Sequence, residues 1–122
     1  MGEGSRKMIN RLFGNYLVTK QILSQSQLDD LLPVRKDYKA EVETIAVINK
    51  VLTSATAQGL LEQIDKNKEH FGEAAIEAGY LSDEKLDEIL TYQTNSFMKF
   101  VQSLIDRGAF SLEQINPFLD EF

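Results

Sequence analysis

The chain has 122 residues, of which 19 are Asp or Glu, 13 are Lys or Arg, one is His and none is Cys. Without cysteine there is no disulfide framework, thiol nucleophile or cysteine-held metal, and a single histidine argues against a histidine metal site or a Ser-His-Asp triad. The hydrophobic content of 43% is typical of a globular domain, and no apolar run reaches the roughly 18 residues of a membrane span. The sequence therefore predicts a soluble, cytoplasmic protein with no membrane insertion.

The charges are distributed unevenly along the chain. Residues 1–61 hold eight basic and six acidic residues, whereas residues 62–122 hold five basic and thirteen acidic ones. Binding to a phosphate backbone needs clustered Lys and Arg, so the acidic second half argues against a nucleic-acid partner. Acidic residues in this pattern are typical of solvated helix faces.

Residues 1–9 match no later part of the chain and are predicted to be a flexible leader ahead of one domain at 10–122. Met8 is an alternative natural start, in which case residues 1–7 derive from expression of the protein. The sequence leaves these two alternatives open.

From Phe13 onward the sequence repeats every 29 residues, in units that start near 13, 42, 71 and 100. The fifth position of each unit is apolar in all four: Leu17, Ala46, Ala75 and Leu104. The eleventh position is large and apolar: Leu23, Leu52, Leu81 and Phe110. The twelfth carries a hydroxyl: Ser24, Thr53, Ser82 and Ser111. This register predicts four tandem units of one structure.

Each unit is predicted to be a helix, a tight turn and a second helix. In the third unit, apolar residues with helical spacing lead to Gly79, which can end the first helix in the left-handed conformation. Ser82 follows as the N-cap of the second helix. Gln21 and Lys50 stand where the third unit has Gly79. Because a left-handed conformation costs such residues on the order of 1 kcal/mol, they are expected to end their helices differently.

The predicted fold class is all-α, with four helix-turn-helix units packed as a helical bundle or a short solenoid, because one such hairpin cannot bury its own apolar face. Pro33 argues against a continuous helix between the first two units. There is no Gly or Pro between Ser82 and Arg107. Between Ser54 and Ala78 the only such residues are Gly59 and Gly72. Long helices shared by adjacent units therefore stay open as an alternative.

Few side chains are candidates for chemistry. His70 lies just before Phe71, where it could contact a ligand or respond to pH, although a surface histidine is the simpler interpretation. Glu73 and Glu77 are one helical turn apart, but a pair of catalytic carboxylates would need a cleft between them. The sequence predicts no enzyme, no cofactor and no metal site.

The third unit reads FGEAAIEAGYLSDEKL from Phe71 to Leu86, and the first unit matches it from Phe13 to Leu28. This pattern resembles the helical-hairpin motif of the N-terminal domains of type II secretion and type IV pilus assembly ATPases. Four tandem units with an opening Phe-Gly are also similar to a helical module found ahead of CheX-like chemotaxis phosphatase domains. The resemblance covers residues 10–122.

Some members of the secretion family bind cyclic di-GMP through two such motifs. Carried over to the first and third units, the ligand contacts that this resemblance implies are Arg11, Leu12, Gly14, Leu17, Val18, His70, Gly72 and Ala75. The nucleotide-binding members have an arginine two residues before the first motif glycine. This chain has Leu12 and His70 in those places, and Arg11 one residue earlier.

Two functional hypotheses follow. The first is a non-enzymatic regulatory or protein-interaction module linked to bacterial signalling, chemotaxis or secretion, which binds a protein partner or forms a homo-oligomer. The alternative is a cyclic di-GMP-binding sensor domain. In a third interpretation the chain is the N-terminal part of a longer protein whose enzymatic domain lies elsewhere.

Overall fold

A computed structural model describes residues 2–32, 37–64 and 71–122, with side chains from residue 9 onward. The described residues form eight α-helices and no strand, which confirms the all-α prediction. The helices are α1 (Gly2–Thr19), α2 (Gln25–Leu31), α3 (Val42–Ile48), α4 (Ser54–Gln63), α5 (Phe71–Glu77), α6 (Asp83–Leu90), α7 (Ser96–Asp106) and α8 (Ile115–Glu121), with a 3₁₀ turn at Leu112–Gln114 before α8. The helical backbone of α1 reaches back to Gly2, and the division of the chain after residue 9 stays a prediction.

The turns that follow α1, α3, α5 and α7 share one pattern of hydrogen bonds. After α1, the N–H of Ile22 donates to the carbonyl of Leu17 and the N–H of Gln21 donates to that of Val18, both at 3.0 Å. The same pair of bonds, at 2.9–3.1 Å, closes the turns within residues 46–51, 75–80 and 104–109. This is the Schellman motif, which satisfies two carbonyls that a helix end would leave free.

The central residue of this motif is left-handed in all four turns. Gly79 and Gly108 have φ angles of 84° and 80°, and Gln21 and Lys50 have φ angles of 63° and 59°. The expectation that Gln21 and Lys50 end their helices differently is therefore wrong. The two hydrogen bonds and the apolar residues around the turn compensate a cost of roughly 1–2 kcal/mol per left-handed residue.

Hydroxyl groups cap the helices that follow these turns. The side-chain oxygens of three residues accept from the backbone N–H three positions later at 3.0–3.1 Å: Ser24, Thr53 and Ser82. Gln27 completes the capping box, because its Oε1 accepts from the N–H of Ser24 at 2.9 Å. Gln114 makes the corresponding bond to Ser111 at 2.9 Å, at the start of the 3₁₀ turn.

The structure also separates the helices of adjacent units. Helix α4 ends at Gln63, and Ile64 is extended with ψ of 154°, so α4 does not continue into α5 as one regular helix. A turn at residues 91–94 follows α6. The side chain of Asn95 then accepts from two N–H groups of α7 at 3.0 and 3.1 Å and begins that helix. Asparagine as an N-cap provides the break that neither Gly nor Pro supplies here. Pro33 lies outside the described residues.

The helix pairs do not follow one another in space as they do along the chain. Helices α1 and α2 both pack against α7, and α7 and α8 both pack against α3. Helix α3 also contacts α5 and α6. In space the α1–α2 pair is therefore followed by the α7–α8 pair, then by the α3–α4 pair and last by the α5–α6 pair. The result is a bundle with α3 and α7 at its centre. Equivalence of the four units over all 29 positions stays a prediction.

The core follows the predicted register at most positions. The residue at the fifth position of each unit is 0% exposed in all four units, and the residue at the eleventh is 5–7% exposed. Helix α6 departs from the pattern: Ile89 is buried, Leu86 is half-buried and Leu90 is 43% exposed. The helical spacing of Leu86, Ile89 and Leu90 by itself predicts that all three are buried. Leu90 stays exposed because α6 lies at the edge of the bundle and packs against α3 from one side.

Gly14 and Gly72 allow the two helices of their units to approach closely. A β-carbon at Gly14 would lie 2.2 Å from Cδ1 of Leu28, and one at Gly72 would lie 2.9 Å from Cδ1 of Leu86. A β-carbon at Gly59, in the middle of α4, would meet nothing within 4 Å.

We expect the Gly14→Ala substitution to lower the free energy of unfolding by about 1–3 kcal/mol, because the added methyl must displace Leu28 from the core. Gly59→Ala is the matched control and should raise stability by about 0.5–1 kcal/mol, since alanine restricts the unfolded chain and favours helix. Urea unfolding followed by circular dichroism measures both. Equal effects of the two substitutions would contradict the close approach.

Relief of the left-handed strain should be measurable at the turns. Gln21→Gly and Lys50→Gly should each raise the free energy of unfolding by about 0.5–1 kcal/mol. This is the backbone strain that glycine relieves, minus the cost of the greater conformational entropy that glycine gives the unfolded chain. Gly79→Ala should lower it by about 1 kcal/mol for the opposite reason. A loss of stability in Gln21→Gly would show that its side chain contributes more than its backbone costs.

Candidate functional site

The predicted ligand residues of the first unit divide between the surface and the core. Arg11 and Leu12 are exposed on α1, Leu12 by 50%. Gly14 and Leu17 are buried, and Val18 is half-buried against the core. Leu28 covers Gly14, so the absence of a side chain at this glycine serves helix packing.

The predicted residues of the third unit are buried where the structure describes them. Gly72 and Ala75 lie inside the bundle, with Gly72 beneath Leu86. His70 lies outside the described residues. Helix α5 packs against α3 and α4, whereas α1 packs against α2 and α7. The two motifs thus belong to the outermost helix pairs, and cyclic di-GMP binding by these residues stays a prediction.

One side of α1 exposes apolar side chains. Ile9 and Leu12 are one helical turn apart and are 46% and 50% exposed. Tyr16 continues the same side one turn further, and the ring of Phe122 lies 5.6 Å from the ring of Tyr16 while remaining 49% exposed. We call Ile9, Leu12 and Phe122 the α1 surface.

Aromatic rings hold α1 against the C-terminal part of the bundle. The ring of Phe13 meets Phe97 edge-on at 5.7 Å and Phe122 edge-on at 5.2 Å. The ring of Phe118 stacks on Phe110 at 5.5 Å and meets Tyr16 at 6.4 Å. Such pairs add about 0.5–1.5 kcal/mol each beyond the burial of their area. These ring contacts therefore fix the position of α1 against the rest of the bundle.

A polar cluster joins the end of α1 to the end of α8. Lys20 Nζ lies 2.6 Å from Glu121 Oε1, and the hydroxyl of Tyr16 donates to the same oxygen. Two hydrogen bonds lower the pKa of Glu121; the one from Lys20 has the larger effect and the one from Tyr16 the smaller. The pKa of Tyr16 is raised to about 12, chiefly by loss of hydration and to a smaller extent by the hydrogen bond to Glu121.

Two of the three residues of the α1 surface, Ile9 and Phe122, were not predicted from the sequence. Ile9 fell within the segment assigned to a leader, although its i, i+3 spacing from Leu12 was a readable signal. Phe122 is the last residue, and its position beside α1 depends on contacts between distant parts of the chain.

The described residues contain no group of three or more His, Asp or Glu side chains that could hold a metal ion. In the same part of the chain no helix is both long and apolar enough to cross a membrane. Comparison of the chain with protein-family models, curated proteins and solved structures found no match.

The polar cluster should make stability depend on pH. Because folding lowers the pKa of Glu121, its contribution is present above the unfolded pKa and is lost as pH falls through the folded pKa. Glu121→Gln should lower the melting temperature at pH 7 by on the order of 1–3 °C, since the pair is exposed to solvent. The difference from the parent protein should shrink below about pH 4.

Glu62→Gln at the end of α4 is the control, because it changes the net charge equally. Calorimetric melting between pH 3 and 8 tests the two variants together. A Glu121→Gln effect that is the same at every pH would contradict the charge-based contribution of this cluster.

Proposed function

We propose that this chain is a non-enzymatic protein-interaction module of bacterial signalling, chemotaxis or secretion, and that it binds a protein partner through the α1 surface. The single observation that carries the proposal is the exposure of Ile9, Leu12 and Phe122 by 46%, 50% and 49% beside one helix. Adjacent exposed apolar side chains of this size mark interaction sites more often than isolated ones do. The resemblance of the repeated motif to secretion and chemotaxis modules supports the cellular context.

The structure provides a pre-organised surface for such a partner. The rings of Phe13 and Phe118 fix α1 and the C-terminal residues relative to each other, so little conformational entropy would be lost on binding. Because each of the three side chains is already about half buried, covering the part that remains exposed can contribute roughly 1 kcal/mol per residue. Arg11 is exposed next to Leu12, and a partner with an apolar groove and a carboxylate at its rim would match both.

The cyclic di-GMP alternative makes a different prediction. It requires that the nucleotide raise the melting temperature of the isolated chain, because a ligand that binds only the folded state stabilises it. The protein-interaction proposal requires no such shift. Thermal unfolding with and without cyclic di-GMP therefore separates the two functions.

The proposed surface can be tested with the double substitution Ile9→Ser and Leu12→Ser. We expect it to weaken binding of the partner about tenfold or more, which is the loss typical of a central apolar anchor. The partner would be recovered by affinity purification with the parent chain and then titrated as a pure protein by calorimetry.

Leu90→Ser is the matched control, since Leu90 is an exposed leucine of α6 at the other edge of the bundle. Its affinity for the same partner should equal that of the parent, and the melting temperatures of all three proteins should agree closely. Equal affinity of the double variant and the parent would refute the proposed surface. Catalytic turnover abolished by one conservative substitution in this chain would refute the non-enzymatic assignment.

A further inference from the structure

A cleft of about 540 Å³ opens between α3, α4, α7 and the turn that precedes α8. Its volume is within the range of roughly 300–1,000 Å³ found for sites that bind small molecules. Leu61, Ile105 and Phe110 form apolar parts of its wall. The cleft is thus large enough for a compact organic molecule and offers it an apolar lining.

Polar groups line another part of the cleft, and hydrogen bonds hold them in place. Gln102 is 4% exposed; its Oε1 accepts from the N–H of Glu41 at 2.9 Å and its Nε2 donates to Asp106 Oδ1 at 2.9 Å. The hydroxyl of Tyr38 donates to the other oxygen of Asp106. The two hydrogen bonds therefore orient the carboxylate of Asp106, and each of its oxygens has a second lone pair that can accept from a further donor.

One accessible carboxylate belongs to the lining of the cleft. Asp106 lies on α7 and is exposed. The described lining residues include no Lys or Arg. A partly enclosed site with acidic groups and low-dielectric walls concentrates the field and attracts cations. An apolar wall beside such a field favours a molecule that has both a positive charge and a hydrocarbon body.

We propose that this cleft binds a small amphipathic amine, with the ammonium group donating to Asp106 and the apolar body lying along Leu61, Ile105 and Phe110. The ammonium supplies three donors and takes the place of water at the carboxylate. The site is separate from the α1 surface, and neither proposal depends on the other.

The probe for the test is 2-phenylethylammonium, and its matched control is 2-phenylethanol, which has a similar shape and no charge. Binding is followed by chemical-shift changes of the ¹⁵N-labelled full chain during titration. A ligand of this size should bind with a Kd on the order of 1 mM. The resonances of α3, α4 and α7 around the cleft should shift, and the alcohol should bind about tenfold more weakly.

Asp106→Asn should weaken binding of the ammonium about tenfold. Asp120→Asn removes a carboxylate from α8 outside the cleft and should leave the affinity unchanged. If Asp106→Asn fails to fold, Leu61→Trp decides, because the larger side chain should block the cleft. Any of three results would overturn the proposal. The first is equal affinity for the alcohol and the ammonium, and the second is unchanged affinity in Asp106→Asn, or in Leu61→Trp if Asp106→Asn does not fold. The third is the absence of saturable chemical-shift changes up to about 20 mM ammonium.

Discussion

One residue in each unit connects the local turn to the core of the bundle. This residue stands at the fifth position of the unit: Leu17, Ala46, Ala75 or Leu104. Its carbonyl accepts the hydrogen bond of the Schellman turn that comes from five residues further along the chain, and its side chain is 0% exposed. Most of the helices are seven to eleven residues long, and helices this short are marginal in water without tertiary packing. Burial of these four side chains therefore stabilises the helices and fixes where each one ends. The left-handed conformations of Gln21 and Lys50 are a consequence, because the chain must turn at that point whichever residue occupies it.

The spatial order of the helix pairs explains why the units differ in sequence. Helices α3 and α7 lie at the centre, and α3 is buried at five consecutive positions, Glu43 to Val47. The outer pairs use Gly14 and Gly72 to bring a leucine of the second helix close. At the positions equivalent to Gly14 and Leu28, the central second unit has Glu43 and Ala57, both buried. Between the outer pairs and the second unit, the sizes at these two positions change in opposite directions, as close packing requires. The fourth unit instead has Val101 and Ile115 there, both buried.

The same arrangement separates two surfaces of different chemistry. The α1 surface is apolar and lies beside the exposed Arg11, two properties that the proposed protein partner would have to match. The cleft beside α3 and α7 is concave and acidic, which suits a small cation. The aromatic contacts of Phe13 and Phe118 support the first, and the hydrogen bonds of Gln102 support the second. Each surface therefore has its own structural support.

The sequence by itself determined the all-α class, the apolar register, the hydroxyl caps and the turn at Gly79, because these depend on residues close along the chain. The resemblance of the motif also named Arg11 and Leu12, as ligand contacts, but not Ile9 or Phe122. Only the tertiary structure decided that Gln21 and Lys50 adopt left-handed conformations, that Asn95 begins a new helix and that Leu90 stays exposed. It also decided the order of the helix pairs and hence the position of the cleft lined by Glu43, Gln102 and Asp106. The order of the helix pairs, the exposure of Leu90 and the cleft arise from contacts between residues far apart in the chain, where packing outweighs local preference. The Asn95 cap is a local hydrogen bond, but an isolated asparagine without Gly or Pro did not single out that position in the sequence.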